Sequence, residues 1–162
     1  MQLVEGRVEI DDLDAFLADL RATGDRHDCA IQAFDPRYVA GREHLERAVE
    51  LANRSIERGE NVADDRSIEI LLYAAGRRQI DRALEMGVAA GAQDVVLVVD
   101  GGDETATVEA LSDLVTDAAV LDGGDEATLR RFFDVTDAEL AATTGTLADV
   151  VLERVALLDV EK

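Results

Sequence analysis

The sequence predicts an α/β fold, a single compact domain over residues 1–162 in which a small mixed sheet is packed with helices. Three observations predict it. The chain has 162 residues, of which 48% are hydrophobic, and this is enough apolar material to bury one core. Short strand-like runs alternate with longer segments whose apolar residues recur at helical spacing. Residues 95–99 are continuously apolar, which is typical of a buried strand.

Two strands and two helices are expected before residue 65. The strands show alternating or continuous apolar residues, and the helices show apolar stripes with a helical period. An aspartate at position 11 or 12 can cap the first helix, and a glycine ends each helix. In order, the elements are a strand at 2–10, a helix ending at Gly24, a strand at 29–34 and a helix at 41–58.

Residues 66–86 are predicted to form one long helix, because alanine and leucine favour helix and the run is long. Gly76 marks a break or a close packing contact, and Gly87 is a candidate C-terminal cap. On a single helix, Gln79 would lie on the apolar face and would need hydrogen-bond partners there. We therefore expect an intramolecular polar network that includes Gln79 and in which an arginine pairs with Glu69.

The remaining elements are expected to be short, except for the last helix. That helix carries a wider apolar sector than one core face needs, which indicates burial on two sides or a partner. In order, the elements after the strand at 95–99 are a helix at 104–115, a short strand at 118–121, a helix ending near Phe133, a helix at 137–143 and a helix at 146–158.

The charge of the chain is strongly acidic and unevenly distributed. The formal net charge is -20, and Lys162 is the only lysine beside fifteen arginines. An excess of short carboxylates with almost no lysine is typical of proteins from a salt-rich cytoplasm, so we expect a halophilic protein. Residues 37–82 are an exception, because their nine arginines balance their nine acidic residues.

Several classes of protein are disfavoured by the residues that are present. No apolar stretch reaches about 18 residues, so we expect no membrane span, and the N-terminus does not resemble a signal peptide. A single cysteine, Cys29, argues against a disulfide scaffold and is consistent with a reducing, cytoplasmic location. Neither His27 nor His44 has a nucleophile at a supporting spacing. We expect no metal and no cofactor.

The segment DGGDE occurs twice, at 100–104 and 122–126. Each copy follows a strand-like run and precedes a helix, so the glycines allow a turn and Asp103 or Asp125 can cap the next helix. The alternative is a metal-dependent nucleotide enzyme, because GGDE also resembles the core motif of nucleotide cyclases. The acidic surroundings would repel a triphosphate, which favours the interpretation as turns.

Arg77 and Arg78 are the candidate ligand-binding residues. Helix-surface pairing accounts for many of the other arginines but less well for these two. A guanidinium group binds both phosphate and carboxylate, so we expect this pair to be exposed toward one or the other. Asn61 and Ser67, near the preceding loop, can add polar contacts. The alternative is the intramolecular network that includes Gln79.

Three stretches resemble a known family. They are AFDPRYVAGREHLERAVELANRSI, then GENVADDRSIEILLYAAGRRQIDRALEMGV, then VVLVV. They resemble the TPRKB family, the small kinase-binding regulatory subunit of the KEOPS complex. The resemblance is best over residues 28–99 and weaker toward both ends.

The resemblance implies a non-catalytic protein that docks on the KEOPS kinase/ATPase subunit and promotes its activity. The complex makes threonylcarbamoyladenosine on tRNA, and in archaea the family subunit also binds the tRNA acceptor end. The net-neutral stretch 37–82 is where RNA would meet the least repulsion, so we expect this stretch to face the RNA, with contacts at Arg77, Arg78, Asn61 and Ser67. A pure protein-interaction adaptor, without RNA binding, is the alternative.

Overall fold

The computed structural model describes residues 1–161 and divides into two compact units. Residues 1–36 and 87–120 form the first, the sheet unit, and residues 37–86 with the chain from 121 onward form the second, the helical unit. Each unit is therefore built from two separate segments of sequence. The predicted α/β class is confirmed.

The sheet unit contains all strands found within residues 1–161. They are β1 (Gln2–Ile10), β2 (Cys29–Phe34), β3 (Gly91–Gly101) and β4 (Thr116–Asp117). The order across the sheet is β2-β3-β1-β4, and every adjacent pair in this part of the chain is antiparallel. The expectation of a mixed sheet is wrong in this respect. β1 and β2 do run parallel to each other, but β3 lies between them and runs in the opposite direction.

Two helices pack on the sheet, namely α1 (Leu13–His27) and α5 (Glu104–Leu111). In their shared core, every second residue of β3 packs against residues of the two helices. The β3 residues are Val95, Leu97 and Val99, and the helix residues are Phe16 and Leu20 of α1 and Leu111 of α5. Asp12 caps α1 as predicted, but Gly24 does not end the helix. Gly24 is buried inside α1, where a Cβ atom would lie 2.6 Å from the Cys29 carbonyl oxygen. The glycine therefore allows a close approach rather than a helix end.

The helical unit contains the remaining α-helices of residues 1–161. They are α2 (Arg42–Glu57), α3 (Arg66–Ala75), α4 (Ile80–Ala83), α6 (Glu126–Phe132), α7 (Asp137–Ala142) and α8 (Leu147–Glu161). A 3-10 turn, Leu84–Met86, follows α4. The core of this unit lies where α2, α3 and α8 pack together. From Ile70 to Ala75 every residue of α3 is buried, which explains why this segment is apolar on all sides.

The segment 66–86 is not one helix. α3 ends at Gly76, whose φ of 62° is left-handed, and α4 begins only at Ile80. A Cβ at Gly76 would lie 2.9 Å from the Arg154 carbonyl oxygen on α8. Both possibilities raised for this glycine are therefore realised, since it breaks the helix and allows a close contact.

Both DGGDE segments form turns that lead into helices. Asp103 caps α5 by accepting a hydrogen bond from the Ala106 N–H at 3.1 Å. Asp125 caps α6 by accepting one from the Thr128 N–H at 3.0 Å. The interpretation as capped turns is confirmed. The strand expected at 118–121 is shorter and earlier, since β4 covers Thr116–Asp117.

Candidate binding surfaces of the helical unit

Arg77 follows the end of α3, and its side chain packs against the end of α6. Its guanidinium carbon lies 4.8 Å from the centre of the Phe132 ring, and Nη2 donates a hydrogen bond to the Phe132 carbonyl. Nη2 also lies 3.7 Å from the Asp134 carboxylate, and the side chain is 19% exposed. The expectation of an exposed Arg77 is wrong. The last carbonyls of a helix lack intrahelical partners, and they attract a cation.

Arg78 and Arg82 are exposed. Among residues 1–161, no carboxylate lies within 4.0 Å of either guanidinium group. Two large apolar side chains in the same stretch are exposed as well, Ile80 by 44% and Leu84 by 53%. We call residues 78–84 the basic–apolar segment. It offers free hydrogen-bond donors and apolar surface in a chain with a net charge of -20.

The end of the basic–apolar segment is held in place by a polar cluster. Glu85, the next residue, accepts a hydrogen bond from the Tyr38 hydroxyl at 3.0 Å and pairs with Arg131 at 2.9 Å. Burial and the hydrogen bond to Glu85 raise the pKa of Tyr38. Burial alone would raise the pKa of Glu85, but the hydrogen bonds from Arg131 and Tyr38 lower it. Leu84 is thus presented next to an anchored residue.

Asn61, in the loop before α3, and Ser67, in the first turn of α3, form hydrogen bonds within the fold. The Asn61 side-chain amide donates to the Ala63 carbonyl at 2.8 Å. The Ser67 hydroxyl and N–H both donate to the Asp65 carboxylate, which caps α3. Both residues therefore stabilise the loop, in addition to any contact with a ligand.

Glu69 and Gln79 have different environments. Glu69 is fully buried, and its carboxylate accepts hydrogen bonds from the Ser55 hydroxyl at 3.0 Å and from the Ala63 N–H at 3.0 Å. The Val62 N–H also donates to it, at 3.1 Å. Gln79 is exposed and directly precedes α4. The expectation that it lies on a buried apolar face is wrong, because the helix that would have placed it there ends at residue 75.

His44 is a buried residue whose role the sequence did not indicate. Its Nδ1 accepts a hydrogen bond from the Ala40 N–H at 3.0 Å, and its Nε2 lies 2.8 Å from the Ala74 carbonyl oxygen. The ring therefore connects the start of α2 to the end of α3. Burial lowers its pKa from 6.5 to about 4, so the imidazole is neutral. The sequence signal for this role was weak: His44 lies in the first turn of the helix predicted at 41–58.

The outer face of α8 combines acidic and apolar residues. Leu157 is 44% exposed and Val160 is 79% exposed, and the exposed Glu153 lies one turn before Leu157. The inner face is held by Asp159, which pairs with Arg54 at 2.7 Å and accepts a hydrogen bond from the Tyr73 hydroxyl at 2.8 Å. The inner side of α8 is therefore held by the contacts of Asp159, whereas Leu157 and Val160 on its outer side are exposed.

Residues 1–161 contain neither a cluster of metal-binding side chains nor a helix suited to spanning a membrane. In this part of the chain, no group of three or more histidine, cysteine, aspartate or glutamate side chains is placed to hold a metal ion. No helix among the described residues is both long enough and apolar enough to cross a membrane. The binding surfaces that remain in the helical unit are the basic–apolar segment and the outer face of α8.

Comparison with protein families identifies the chain. The model of the family described as "Kinase binding protein CGI-121" matches residues 9–159. The chain belongs to this family. The match confirms the resemblance to TPRKB proteins and includes both the basic–apolar segment and nearly all of α8. No curated protein matches the chain. Kinase binding is the property by which the family is described, and it supports a regulatory role for this chain.

Proposed function

We propose that this protein is the non-catalytic regulatory subunit of a KEOPS complex, the complex that makes threonylcarbamoyladenosine on tRNA. In this proposal it binds the kinase/ATPase subunit, stimulates it and contacts the tRNA acceptor end. It works in a salt-rich cytoplasm without a cofactor or a metal of its own. Membership of a kinase-binding family supports the kinase part of the proposal.

One observation supports the tRNA part most directly. Neither Arg78 nor Arg82 forms an ion pair within 4.0 Å in residues 1–161, although the chain has twenty more acidic than basic residues and Arg82 lies near enough to Glu85 to help lower the pKa of that carboxyl. A guanidinium group that stays unpaired in such surroundings is available for phosphate. Ile80 and Leu84 add exposed apolar surface on which unpaired bases can pack. We therefore assign the RNA contact to the basic–apolar segment, in which Arg82 replaces Arg77 as the second arginine that contacts RNA.

The outer face of α8 is better suited to a protein. Leu157 and Val160 are exposed near Glu153 and Glu161. Arg154 is paired with Glu139, so carboxylates dominate this face and repel RNA. In the basic–apolar segment, by contrast, two arginines outnumber the one exposed carboxylate, Asp81. Apolar residues bordered by charge are typical of protein interfaces. We assign kinase docking to this face, with a basic surface on the kinase as its complement.

The pure adaptor remains the second candidate, for a specific reason. Of the four residues at which the sequence predicts RNA contacts, Arg77, Asn61 and Ser67 form hydrogen bonds within the fold. Only Arg78 keeps its donors free in the described part of the chain. In an adaptor, Arg78 and Arg82 would bind carboxylates of a protein partner instead of phosphates.

The test compares two double variants with equal charge. Arg78→Ala with Arg82→Ala removes the two free guanidinium groups. Arg42→Ala with Arg47→Ala is the matched control, because these exposed arginines pair with Glu46 and Glu50 on the surface of α2. Binding of tRNA and binding of the kinase subunit are both measured, at the salt concentration of the native host.

We expect the first variant to lose tRNA affinity by about 10-fold or more and to keep its affinity for the kinase. The control should keep both affinities, since long-range charge effects are screened at high salt. If the wild-type protein shows no tRNA affinity and the first variant loses kinase binding, the chain is an adaptor. Equal tRNA affinity for the wild type and both variants contradicts the proposed RNA surface.

A further inference from the structure

Arg77 and Arg78 are neighbours in sequence but differ in their environment. Arg77 is held by three contacts at the end of α6, to the Phe132 ring, the Phe132 carbonyl and the Asp134 carboxylate. Its Nε–H is buried and has no acceptor among the described residues. Arg78 is exposed and makes no ion pair in the same part of the chain.

The main chain on both sides of Arg78 is fixed. The Gly76 N–H donates to the Tyr73 carbonyl and the Arg77 N–H donates to the Leu72 carbonyl, each at 3.1 Å. These two bonds close the end of α3 in the manner of a Schellman motif. On the other side, the Gln79 carbonyl accepts the first hydrogen bond of α4, from Ala83 at 3.1 Å. Arg78 therefore lies in a short link, residues 76–79, between the end of α3 and the start of α4.

The anchor at Arg77 is the side-chain contact that joins this link to another helix. α4 has only four residues, and a helix of this length is not stable by itself. Without the anchor, the link and α4 would depend on the main-chain bonds at the end of α3 and on the cluster around Glu85. The direction of Arg78 would then vary, and each binding event would have to order it again.

Building on the RNA contact proposed above, we propose that Arg77 is a positioning residue for RNA binding. It does not touch the RNA. It fixes the link so that the guanidinium group of Arg78 is already directed toward a phosphate when the RNA arrives. The pair thus divides two tasks between adjacent arginines, one anchoring and one binding.

The experiment measures tRNA affinity as a function of salt for Arg77→Met, Arg77→Lys, Arg78→Ala and Arg54→Met. Arg54→Met is the matched control, because Arg54 also has a buried, unpartnered Nε and an ion pair with one aspartate. Hydrogen exchange is measured on the same samples at the Gly76, Arg77 and Ala83 amides, which donate the hydrogen bonds at the two ends of the link. A thermal melt verifies folding.

We expect Arg77→Met to lower tRNA affinity about 3- to 10-fold while keeping the slope of affinity against salt, since no phosphate contact is removed. Arg78→Ala should lower both the affinity and the slope, the latter by about one unit. Arg54→Met should match the wild type in affinity. Arg77→Lys, which keeps a cation near the Phe132 carbonyl, should lie between wild type and Arg77→Met. Amide exchange at residues 76, 77 and 83 should be fastest in Arg77→Met, intermediate in Arg77→Lys and unchanged in Arg54→Met.

The outcomes separate this proposal from the one on which it depends. A wild-type protein without tRNA affinity overturns the proposed function, and the positioning role with it. Normal affinity in a folded Arg77→Met, together with a loss in Arg78→Ala, overturns the positioning role alone. An Arg77→Met variant that loses the same slope as Arg78→Ala shows that Arg77 contacts phosphate itself. If Arg77→Met does not fold, Arg77→Lys decides, and wild-type affinity with wild-type exchange in that variant contradicts the proposal.

Discussion

His44 makes folding stability depend on pH at the level of a single residue. Burial lowers its pKa in the folded protein from 6.5 to about 4. Below pH 6.5 the unfolded chain binds a proton that the fold excludes, so stability is lost as the pH falls from 6.5 toward 4. We predict that between pH 7 and pH 5 the wild type loses about 2 kcal/mol more stability than His44→Gln, as measured by urea unfolding.

The control for this prediction is Leu45→Val, at the buried residue next to His44, because it changes packing without removing a titratable group. It should show the same pH dependence as the wild type. If His44→Gln also follows the wild-type curve, then the proton is not excluded by the site between α2 and α3.

Some residue roles were predictable from local sequence and others were not. Asp103 and Asp125 cap helices as predicted, because a cap depends only on the next three residues. Arg77 and His44 depend on partners far away in sequence, at Phe132 and Ala74 respectively. Nothing in the local pattern distinguishes Arg77 from Arg78. What separates them is the position of α6, which only the fold supplies.

At the scale of elements, Gly76 determines how α3 ends. Its φ is left-handed, and a Cβ would lie 2.9 Å from main-chain atoms of α8. We predict that Gly76→Ala lowers the free energy of unfolding by about 2–3 kcal/mol, the sum of left-handed strain and a clash that only movement of α8 can relieve. The measurement is chemical denaturation.

Gly59→Ala is the matched control. Gly59 is also left-handed, with a φ of 69°, but no atom lies within 4 Å of a Cβ built there. It should cost only the strain, about 1 kcal/mol. Equal losses for the two variants would show that the contact between Gly76 and α8 does not limit stability.

Most elements could be predicted because their apolar period is clear, as in β1, β2 and α2. The prediction of one helix over 66–86 is wrong because α3 is buried on all sides. An apolar run without a polar face has no period from which the end of the helix could be located. Gly76 was the remaining signal. Glycine also occurs inside helices, and Gly24 in α1 is an example. Which glycine ends a helix depends on packing that is set elsewhere.

At the scale of the whole molecule, the net charge of -20 predicts that stability depends on salt. Screening of repulsion between carboxylates weakens as the Debye length grows from about 3 Å in 1 M salt to about 10 Å in 0.1 M salt. We predict that the midpoint of thermal unfolding falls by about 5 °C or more over this change, measured by circular dichroism.

Sodium and potassium chloride at equal ionic strength should act alike, and sucrose should not replace them, because screening requires ions. A midpoint that does not change with salt contradicts the expectation of a halophilic protein. The same melts test the predicted single domain. Because each unit is built from two segments, unfolding of one lengthens the loop that the other must close, so one transition is expected.

The position of β3 between β1 and β2 has a consequence for synthesis on the ribosome. β1 and β2 are translated first, yet neither pairs with the other, and the strand that joins them is completed only at Gly101. More than half of the polypeptide must therefore emerge before the sheet can form. Until then the backbone N–H and C=O groups of β1 and β2 have no strand to pair with. The intervening residues 37–86 are mostly helical, and α2 packs directly on α3, so this part can gain order before α8 completes the core of the helical unit. Early ordering of residues 37–86 shortens the flexible stretch between β2 and β3, so less chain entropy is lost when these two strands pair.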